Sequence, residues 1–258
     1  MKDERKRIAF LNLMPMKEEA ELDIRRVLSG VEFALMKMRS HVSRHASAEY
    51  MERSCCFFDE MCDESFDGLI VNGAPVEVLP FEEVDYWEEL CEVFAWARQR
   101  EMPALYICWG AQAALHSLYG IDKYRLKRKM FGVFLEKLLV PEHPIFEGFS
   151  RNVWMPHSRH TEIRREDIVE HRELLLLAEG EETGVSIVAS RDGREVFVTG
   201  HWEYSVGRLD WEYQRDKEKR DDVDIPVNYY KDESSLSQPV FRWKDDALRF
   251  FDNWQKCL

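Results

Sequence analysis

The sequence is short of positive charge. Its 36 lysine and arginine residues stand against 49 aspartate and glutamate residues, which gives a formal net charge of −13 over 258 residues. Such a charge argues against nucleic acid or an anionic membrane surface as the main partner. The sequence also has no apolar run of the length that a membrane-spanning helix needs. We therefore expect no nucleic-acid partner and no membrane partner.

The six cysteines form no CxxC pair and have no regular spacing. Cys55 and Cys56 are adjacent, which is unfavourable for a disulfide framework. Because the first residues also lack the features of a secretion signal, we expect reduced thiols and a cytoplasmic protein. His157 and His160 lie three residues apart, but no second pair of metal-ligand type stands near them. The sequence therefore predicts no metal.

What the first half does contain is an alternation of short apolar strands and amphipathic helices. The predicted strands are Arg7–Leu13, Val31–Met38, Gly68–Asn72 and Ala104–Ile107, and the predicted helices are Lys17–Leu28 and Glu83–Arg100. The polar segment Ser40–Ser47 is predicted to be a loop, and residues 48–66 are partly helical. This alternation predicts an α/β fold with a mostly parallel central sheet flanked by helices.

The second half has shorter strands separated by closer turns, which predicts additional, partly antiparallel strands. They are expected at Phe131–Leu139, Val153–Met155, Leu174–Leu177, Gly184–Ala189 and Glu195–Thr199. Helices are expected at 206–220 and 244–256, with an irregular segment at 225–238 between them. Since no repeat or linker divides the chain, residues 1–258 are predicted to form one domain.

The apolar strand before Cys108 leads directly into a helical run that begins at Trp109. A residue at such a strand-to-helix turn projects beyond the sheet, next to the free N–H groups and positive dipole end of the helix. A cysteine in this position can act as a nucleophile beside oxyanion donors. The alternative is a buried structural thiol, and this stretch alone does not decide between the two.

A His-x-Glu sequence, His201 and Glu203, follows the last strand of the second half. Residues i and i+2 of a strand share a face, so both side chains are expected in one cleft, where the carboxylate orients the imidazole. Carboxyl ends of parallel strands meet at one sheet edge, so residues 14–17, 72–75 and 108–110 should converge there as well. A cysteine, a histidine and a glutamate then fit a nucleophile, a base and its orienting group.

Several longer motifs occur together in the order found in one enzyme family. The chain resembles the homoserine O-acyltransferases of the MetA type, whose fold is like that of class I glutamine amidotransferases and is flavodoxin-like. The matching segments are LNLMP (11–15), GAP (73–75), FEEVDYW (81–87), CWGAQAAL (108–115), MPHSRH (155–160), VTGHWEY (198–204) and PVNYY (226–230). The chain departs from the family at Trp202, where a proline is usual between the histidine and the glutamate.

The resemblance implies a role for each matching residue in an acyl transfer. Cys108 is the nucleophile, His201 the general base, Glu203 its partner, and Lys17 an assisting cation. Gly73 and Trp109 supply the backbone N–H groups of the oxyanion hole. The substrate-binding candidates are Arg215, for the carboxylate of the amino-acid acceptor, and the weaker candidates Ser158 and Arg159.

The resemblance also bears on the acyl donor, because a Glu or a Gly after Gly-Ala-Pro-x accompanies acetyl or succinyl donors respectively. This chain has Glu77 at that position. Its carboxylate should repel the free carboxylate of succinyl-CoA, and its bulk should leave room for a methyl group only. The expected activity is a homoserine O-acetyltransferase of methionine biosynthesis, working by a ping-pong mechanism with acetyl-CoA as co-substrate, without a bound cofactor and as a homodimer.

Three alternatives keep the same catalytic residues. The acceptor could be serine, the donor could be succinyl-CoA, or the reaction could be the hydrolysis of an amide, as in a glutamine amidotransferase. The Met-Pro-x-Lys and Pro-His-Ser-Arg-His motifs argue against amide hydrolysis, because amidotransferases do not need them. A binding protein with an inactive remnant of the site is disfavoured, because Cys108, His201 and Glu203 are all present.

Overall fold

The computed structural model describes residues 5–41, 48–219, 222–232, 234 and 236–258. Residues 42–47, most of the segment predicted to be a loop, lie outside these. The strands are β1 (Arg7–Leu11), β2 (Glu32–Lys37), β3 (Cys55–Phe57), β4 (Gly68–Val71), β5 (Ala104–Ile107), β6 (Tyr124–Leu138), β7 (Asn152–Glu162), β8 (Leu174–Gly180), β9 (Gly184–Ser190), β10 (Glu195–Val198), β11 (Tyr230–Asp232) and β12 (Ser237–Pro239).

The helices connect these strands on both faces of the sheet. They are α1 (Lys17–Val27), α2 (Ala48–Ser54), α3 (Phe58–Met61), α4 (Trp87–Gln99), α5 (Trp109–Tyr119), α6 (Arg165–Val169), α7 (Arg208–Lys217) and α8 (Lys244–Gln255), with 3-10 turns at Phe81–Glu83 and Pro144–Phe146.

Ten of the strands form one sheet in the order β3-β2-β1-β4-β5-β10-β9-β8-β6-β7. The pairs from β3 to β10 are parallel, and those from β10 to β7 are antiparallel. The parallel half is connected through helices, whereas the antiparallel half is connected largely by turns, as the difference in spacing between the strands predicted. The predicted fold class is therefore confirmed.

The hydrophobic core lies on both faces of this sheet. Ile8 and Phe10 of β1 pack on one face and Ala9 and Leu11 on the other, following the two-residue period of a strand. Helices α1 and α8 bury apolar side chains on the first face, and α4 and α5 do so on the second. All four residues of β4 and of β5 are buried. These two strands are covered on both faces, which explains their continuous apolar sequences.

Several strands extend beyond their predicted bounds or were not predicted. β7 covers residues 152–162, although only 153–155 have an apolar strand pattern, because the buried positions that follow include His157, Arg159 and Thr161. These polar side chains are hydrogen-bonded inside the protein, so hydropathy does not reveal the strand. The irregular segment predicted at 225–238 contributes instead to the β11–β12 hairpin.

Candidate active site

Cys108 lies at the turn between β5 and α5, as predicted. Its backbone has φ of 53° and ψ of −120°, a conformation that L-residues rarely adopt, and its N–H donates to the carbonyl oxygen of Val198 on β10 at 2.7 Å. Such strained backbone is held in place by its surroundings and is frequent at functional sites. The side chain of Cys108 is buried but lies on the wall of a cleft.

Gly110 allows helix α5 to begin directly against the end of β4. A Cβ atom on this residue would lie only 2.5 Å from the carbonyl oxygen of Asn72 and 2.8 Å from that of Val71. Any larger residue would therefore push the start of the helix, and Cys108 with it, away from the sheet. The sequence Cys-Trp-Gly thus places the thiol and sets its distance from the neighbouring strand end.

Gly73 lies directly against the thiol, at the carboxyl end of β4. A Cβ atom on Gly73 would be 3.1 Å from the Cβ of Cys108, 3.5 Å from its Sγ and 3.5 Å from the backbone nitrogen of Trp109. Trp109 is the first residue of α5, and the first N–H groups of a helix have no partner within it. The two segments predicted to supply oxyanion donors therefore meet at the sulfur atom.

His201 and Glu203 form a buried pair next to Cys108. The Nδ1 atom of His201 lies 2.6 Å from Oε1 of Glu203, and the His201 side chain is also hydrogen-bonded to that of Cys108. The sequence analysis expected the two side chains to share a face because they lie two residues apart in a strand. That reason was wrong, because β10 ends at Val198 and residues 201–203 lie in a turn. The turn is fixed by the N–H of His201, which donates to the carbonyl oxygen of Pro156 at 2.8 Å.

The charges around His201 favour its imidazolium form. Burial alone would lower the pKa of His201, but the Cys108 thiolate and the Glu203 carboxylate outweigh it and raise the pKa well above its usual value. The ring of Tyr204 stacks on the imidazole with the centroids 4.0 Å apart. Oε2 of Glu203 is buried without a hydrogen-bond partner among the described residues.

The cleft beside Cys108 has a volume of about 410 Å³ and brings together most of the predicted site residues. The predicted residues on its wall are Gly73, Glu77, Cys108, Ser158, His201 and Arg215. Met14 also lies there, so the ends of β1, β4 and β5 converge as expected. Sequence reasoning missed six other polar or charged residues on this wall: Arg125, Lys129, Tyr204, Glu212, Asp216 and Lys219. Tyr204 belongs to a quoted motif, and Glu212 and Asp216 lie on the same helix as Arg215.

One end of the cleft carries a network of charged and polar groups. Glu212 accepts hydrogen bonds from the hydroxyl of Tyr204 at 2.8 Å and from the hydroxyl of Ser158. Asp216 lies 2.7 Å from the guanidinium of Arg215 and 3.1 Å from Nζ of Lys129. An α-amino acid carries a carboxylate and an ammonium group. This end of the cleft offers a cation that can bind the first and carboxylates that can bind the second.

Glu77 lies on the wall of the same cleft and is held by the backbone of β7. Its Oε2 atom accepts a hydrogen bond from the N–H of His160. Burial raises the pKa of the Glu77 carboxyl, partly offset by this hydrogen bond. The side chain is therefore fixed in position rather than free in solvent.

Lys17 and Arg159 are not on the wall of this cleft. Lys17 is buried, and its ammonium group donates to the carbonyl oxygen of Asn12; burial lowers its pKa to about 8. Arg159 is fully buried and donates to the carbonyl oxygens of Thr161 and Thr183. The expectation that Arg159 contacts substrate therefore finds no support in its position, because its donors already have partners inside the protein.

Among the described residues, no group of three or more His, Cys, Asp or Glu side chains is arranged to hold a metal ion. None of the described helices is both long and apolar enough to cross a membrane.

The chain is similar in sequence to a set of bacterial enzymes over nearly its whole length. It is 48% identical to a homoserine O-acetyltransferase of Phocaeicola vulgatus and 49% identical to one of Bacteroides fragilis, in each case over 96% of this chain and 83% of the relative. A homoserine O-acetyltransferase of Clostridium novyi is 45% identical over the same shares.

The fold is similar to that of solved glutamine amidotransferases. One from Thermotoga maritima superposes with a TM-score of 0.67 at 14% sequence identity, over 98% of this chain and 97% of the other. One from Methylobacillus flagellatus gives a TM-score of 0.62 at 12% identity. The family model described as homoserine O-succinyltransferase matches residues 2–258. The resemblance seen in the sequence is thereby confirmed, and the chain belongs to the homoserine O-succinyltransferase family.

Proposed function

We propose that this chain transfers the acetyl group of acetyl-CoA to the side-chain hydroxyl of L-homoserine. The observation that carries the proposal is the contact between Cys108 and His201 on the wall of a cleft, with Glu203 hydrogen-bonded to His201 behind it. The names of the relatives at 48–49% identity support the choice of reaction. The product would be an activated homoserine ester for methionine biosynthesis.

In the first half-reaction, the Cys108 thiolate attacks the carbonyl carbon of the acetyl thioester. The negative charge moves to the carbonyl oxygen, beside the backbone N–H groups near Gly73 and Trp109. When the intermediate collapses, the carbon–sulfur bond to CoA breaks, and His201 gives its proton to the departing thiolate. Exchange of an acyl group between two thiols is nearly balanced in energy, so this step needs no further driving force.

In the second half-reaction, neutral His201 removes the proton from the homoserine hydroxyl as the oxygen attacks the acetyl-cysteine. The Cys108 thiolate then leaves, and His201 regains the imidazolium form that Glu203 and the thiolate stabilise. Glu203 holds the ring through Nδ1, so that the other nitrogen faces the reacting atoms. Ping-pong kinetics follow from this covalent intermediate.

We place the acceptor at the charged end of the cleft. Arg215 would bind the homoserine carboxylate, and Glu212 lies where an ammonium group can be bound. We propose that acetyl-CoA acts as a co-substrate and that the reaction uses no bound cofactor. We further propose that the enzyme is cytoplasmic and forms a homodimer. Lys17 and Arg159 would support the cleft wall from behind through their hydrogen bonds to backbone carbonyl oxygens.

One assay tests the proposal. The protein is incubated with acetyl-CoA or succinyl-CoA in combination with L-homoserine or L-serine, and release of the CoA thiol is followed. The proposal requires that acetyl-CoA with homoserine gives the highest kcat/KM. The fold is also that of glutamine amidotransferases, so glutamine hydrolysis is measured in parallel. Hydrolysis of glutamine without turnover of CoA would replace the proposal with an amidohydrolase.

Glu77→Gly is expected to shift the donor preference toward succinyl-CoA. The side chain is fixed on the cleft wall by the His160 N–H, so its removal opens space and removes a carboxyl group. We expect kcat/KM for succinyl-CoA to rise by about tenfold or more, since each factor of ten needs about 1.4 kcal/mol. Glu77→Gln is the matched control, because it keeps the bulk. No gain with either variant would refute the role of Glu77 in donor choice.

Arg215→Gln is expected to raise the KM for homoserine by about 10- to 100-fold. The reason is the loss of a charge-assisted, two-point contact with the carboxylate. The KM for acetyl-CoA should change little, and substitution of Arg191, an exposed arginine outside the cleft, by Gln should leave the enzyme as wild type. If the KM for homoserine stays unchanged in Arg215→Gln, the acceptor carboxylate binds elsewhere.

A further inference from the structure

The first half of β6 is the most basic segment of this acidic chain. Five of the seven residues from 123 to 129 are lysine or arginine, although the chain as a whole has a net charge of −13. A cluster of one sign in a chain of the other sign marks a local field suited to a ligand of opposite charge. Arg125 and Lys129 of this segment line the cleft beside Cys108.

A bulge in β6 lies next to Arg125 and includes Lys129. Between the pair Arg125–Thr161 and the pair Met130–Arg159, β6 advances by five residues and β7 by only two. Residues 126–129 therefore leave the regular ladder, between two positions that remain paired. The bulge breaks the alternation of faces, so that Lys127 and Arg128 are both exposed next to the cleft-lining Lys129.

The cations of this segment differ in whether they are already neutralised. Lys129 lies 3.1 Å from Asp216, and Arg128 lies 2.6 Å from Asp224. Arg125 and Lys127 are exposed, and no partner is found for either side chain among the described residues. Lys219, which lines the same cleft, is exposed in the same way. The described part of the chain therefore leaves positive charge without a carboxylate partner at Arg125 and Lys219 of the cleft wall and at the exposed Lys127.

We propose that Arg125 at the edge of the β6 bulge and Lys127 within it, together with Lys219 of the same cleft, bind the phosphate groups of the CoA donor. This inference rests on the proposed function, because it assigns a place to one part of that donor. The acyl thioester must reach Cys108, and the pantetheine arm separates it from the adenosine 3′,5′-bisphosphate. A cleft that contains the nucleophile can receive the thioester, and cations at its rim can bind the phosphate groups at the other end of the donor.

The test separates the phosphate-bearing part of the donor from the reacting part. In Arg125→Gln/Lys127→Gln, we expect the KM for acetyl-CoA to rise by about 10- to 50-fold, because two charge-assisted contacts are lost. Turnover of acetyl-pantetheine, which lacks the nucleotide, should stay within about twofold of wild type. Lys137→Gln is the matched control, because Lys137 is an exposed lysine at the other end of β6, outside the cleft.

Calorimetry with adenosine 3′,5′-bisphosphate alone measures the site without turnover. Binding by wild type and Lys137→Gln, weakened about tenfold or more in the double variant and by added salt, supports the proposal. Equal affinities for wild type and the double variant, or an equal loss with acetyl-pantetheine and acetyl-CoA, would overturn it. If wild type bound the bisphosphate but released no thiol from acetyl-CoA with any acceptor, the proposed function would fail while the phosphate site stood.

Discussion

Cys108→Ala is expected to lower kcat for acyl transfer by about 10⁴-fold or more, which is the scale seen when a catalytic nucleophile is removed. The thiol is a reactive side chain that contacts both His201 and the strand end at Gly73. With acetyl-CoA alone, mass spectrometry should detect one added acetyl group on wild type and none on Cys108→Ala. The acetyl group should be released by hydroxylamine, as expected for a thioester.

Two other cysteines provide controls for this experiment. Cys56 and Cys257 are exposed and lie outside the cleft, so Cys56→Ser and Cys257→Ser should retain both activity and acetylation. Acetylation that persists in Cys108→Ala, or activity that survives the substitution, would exclude Cys108 as the carrier of the acyl group.

His201→Ala is expected to lower kcat by about 10³- to 10⁴-fold, because the proton transfers of both half-reactions pass through this imidazole. The variant should also slow alkylation of Cys108 by iodoacetamide at neutral pH, since the charged partner of the thiolate is lost. Glu203→Gln keeps the shape of the orienting group but removes its charge, and its loss of activity should be intermediate.

The control for His201 is His171, which lies outside the cleft and packs its ring against Tyr119. His171→Ala should retain wild-type kcat and wild-type alkylation of Cys108. Wild-type activity in His201→Ala would require a different base, and normal alkylation in that variant would mean that the imidazole does not stabilise the thiolate.

The parallel half of the fold and the nucleophile are predictable because their signals are local. β4 and β5 are short apolar runs, and Cys108 stands between a buried strand and the helix that begins at Trp109. The convergence of β1, β4 and β5 at one cleft follows from the rule that ligand sites lie at the carboxyl ends of parallel strands. These features need no knowledge of distant contacts.

The rest of the site depends on contacts between residues far apart in the chain. The length of β7 is hidden because its polar side chains are satisfied by hydrogen bonds to distant partners, such as that of His157 to Glu136. Arg159 is also buried because its side chain is hydrogen-bonded inside the protein. Pairing in β6 and the position of its bulge depend on register with β7, which no single segment of sequence specifies.

The raised pKa of His201 gives the proposed reaction an order in time. Part of that increase comes from the negative charge of the Cys108 thiolate, and acetylation of the sulfur removes this charge. In the proposed acetylated state the pKa of the imidazole would then fall, because the thiolate would no longer help Glu203 to oppose the effect of burial. In the proposed mechanism, the imidazole is therefore a better proton acceptor after acetylation than before it. In the proposed cycle, activation of the acceptor hydroxyl would thereby follow the reaction of the donor without any movement of a lid.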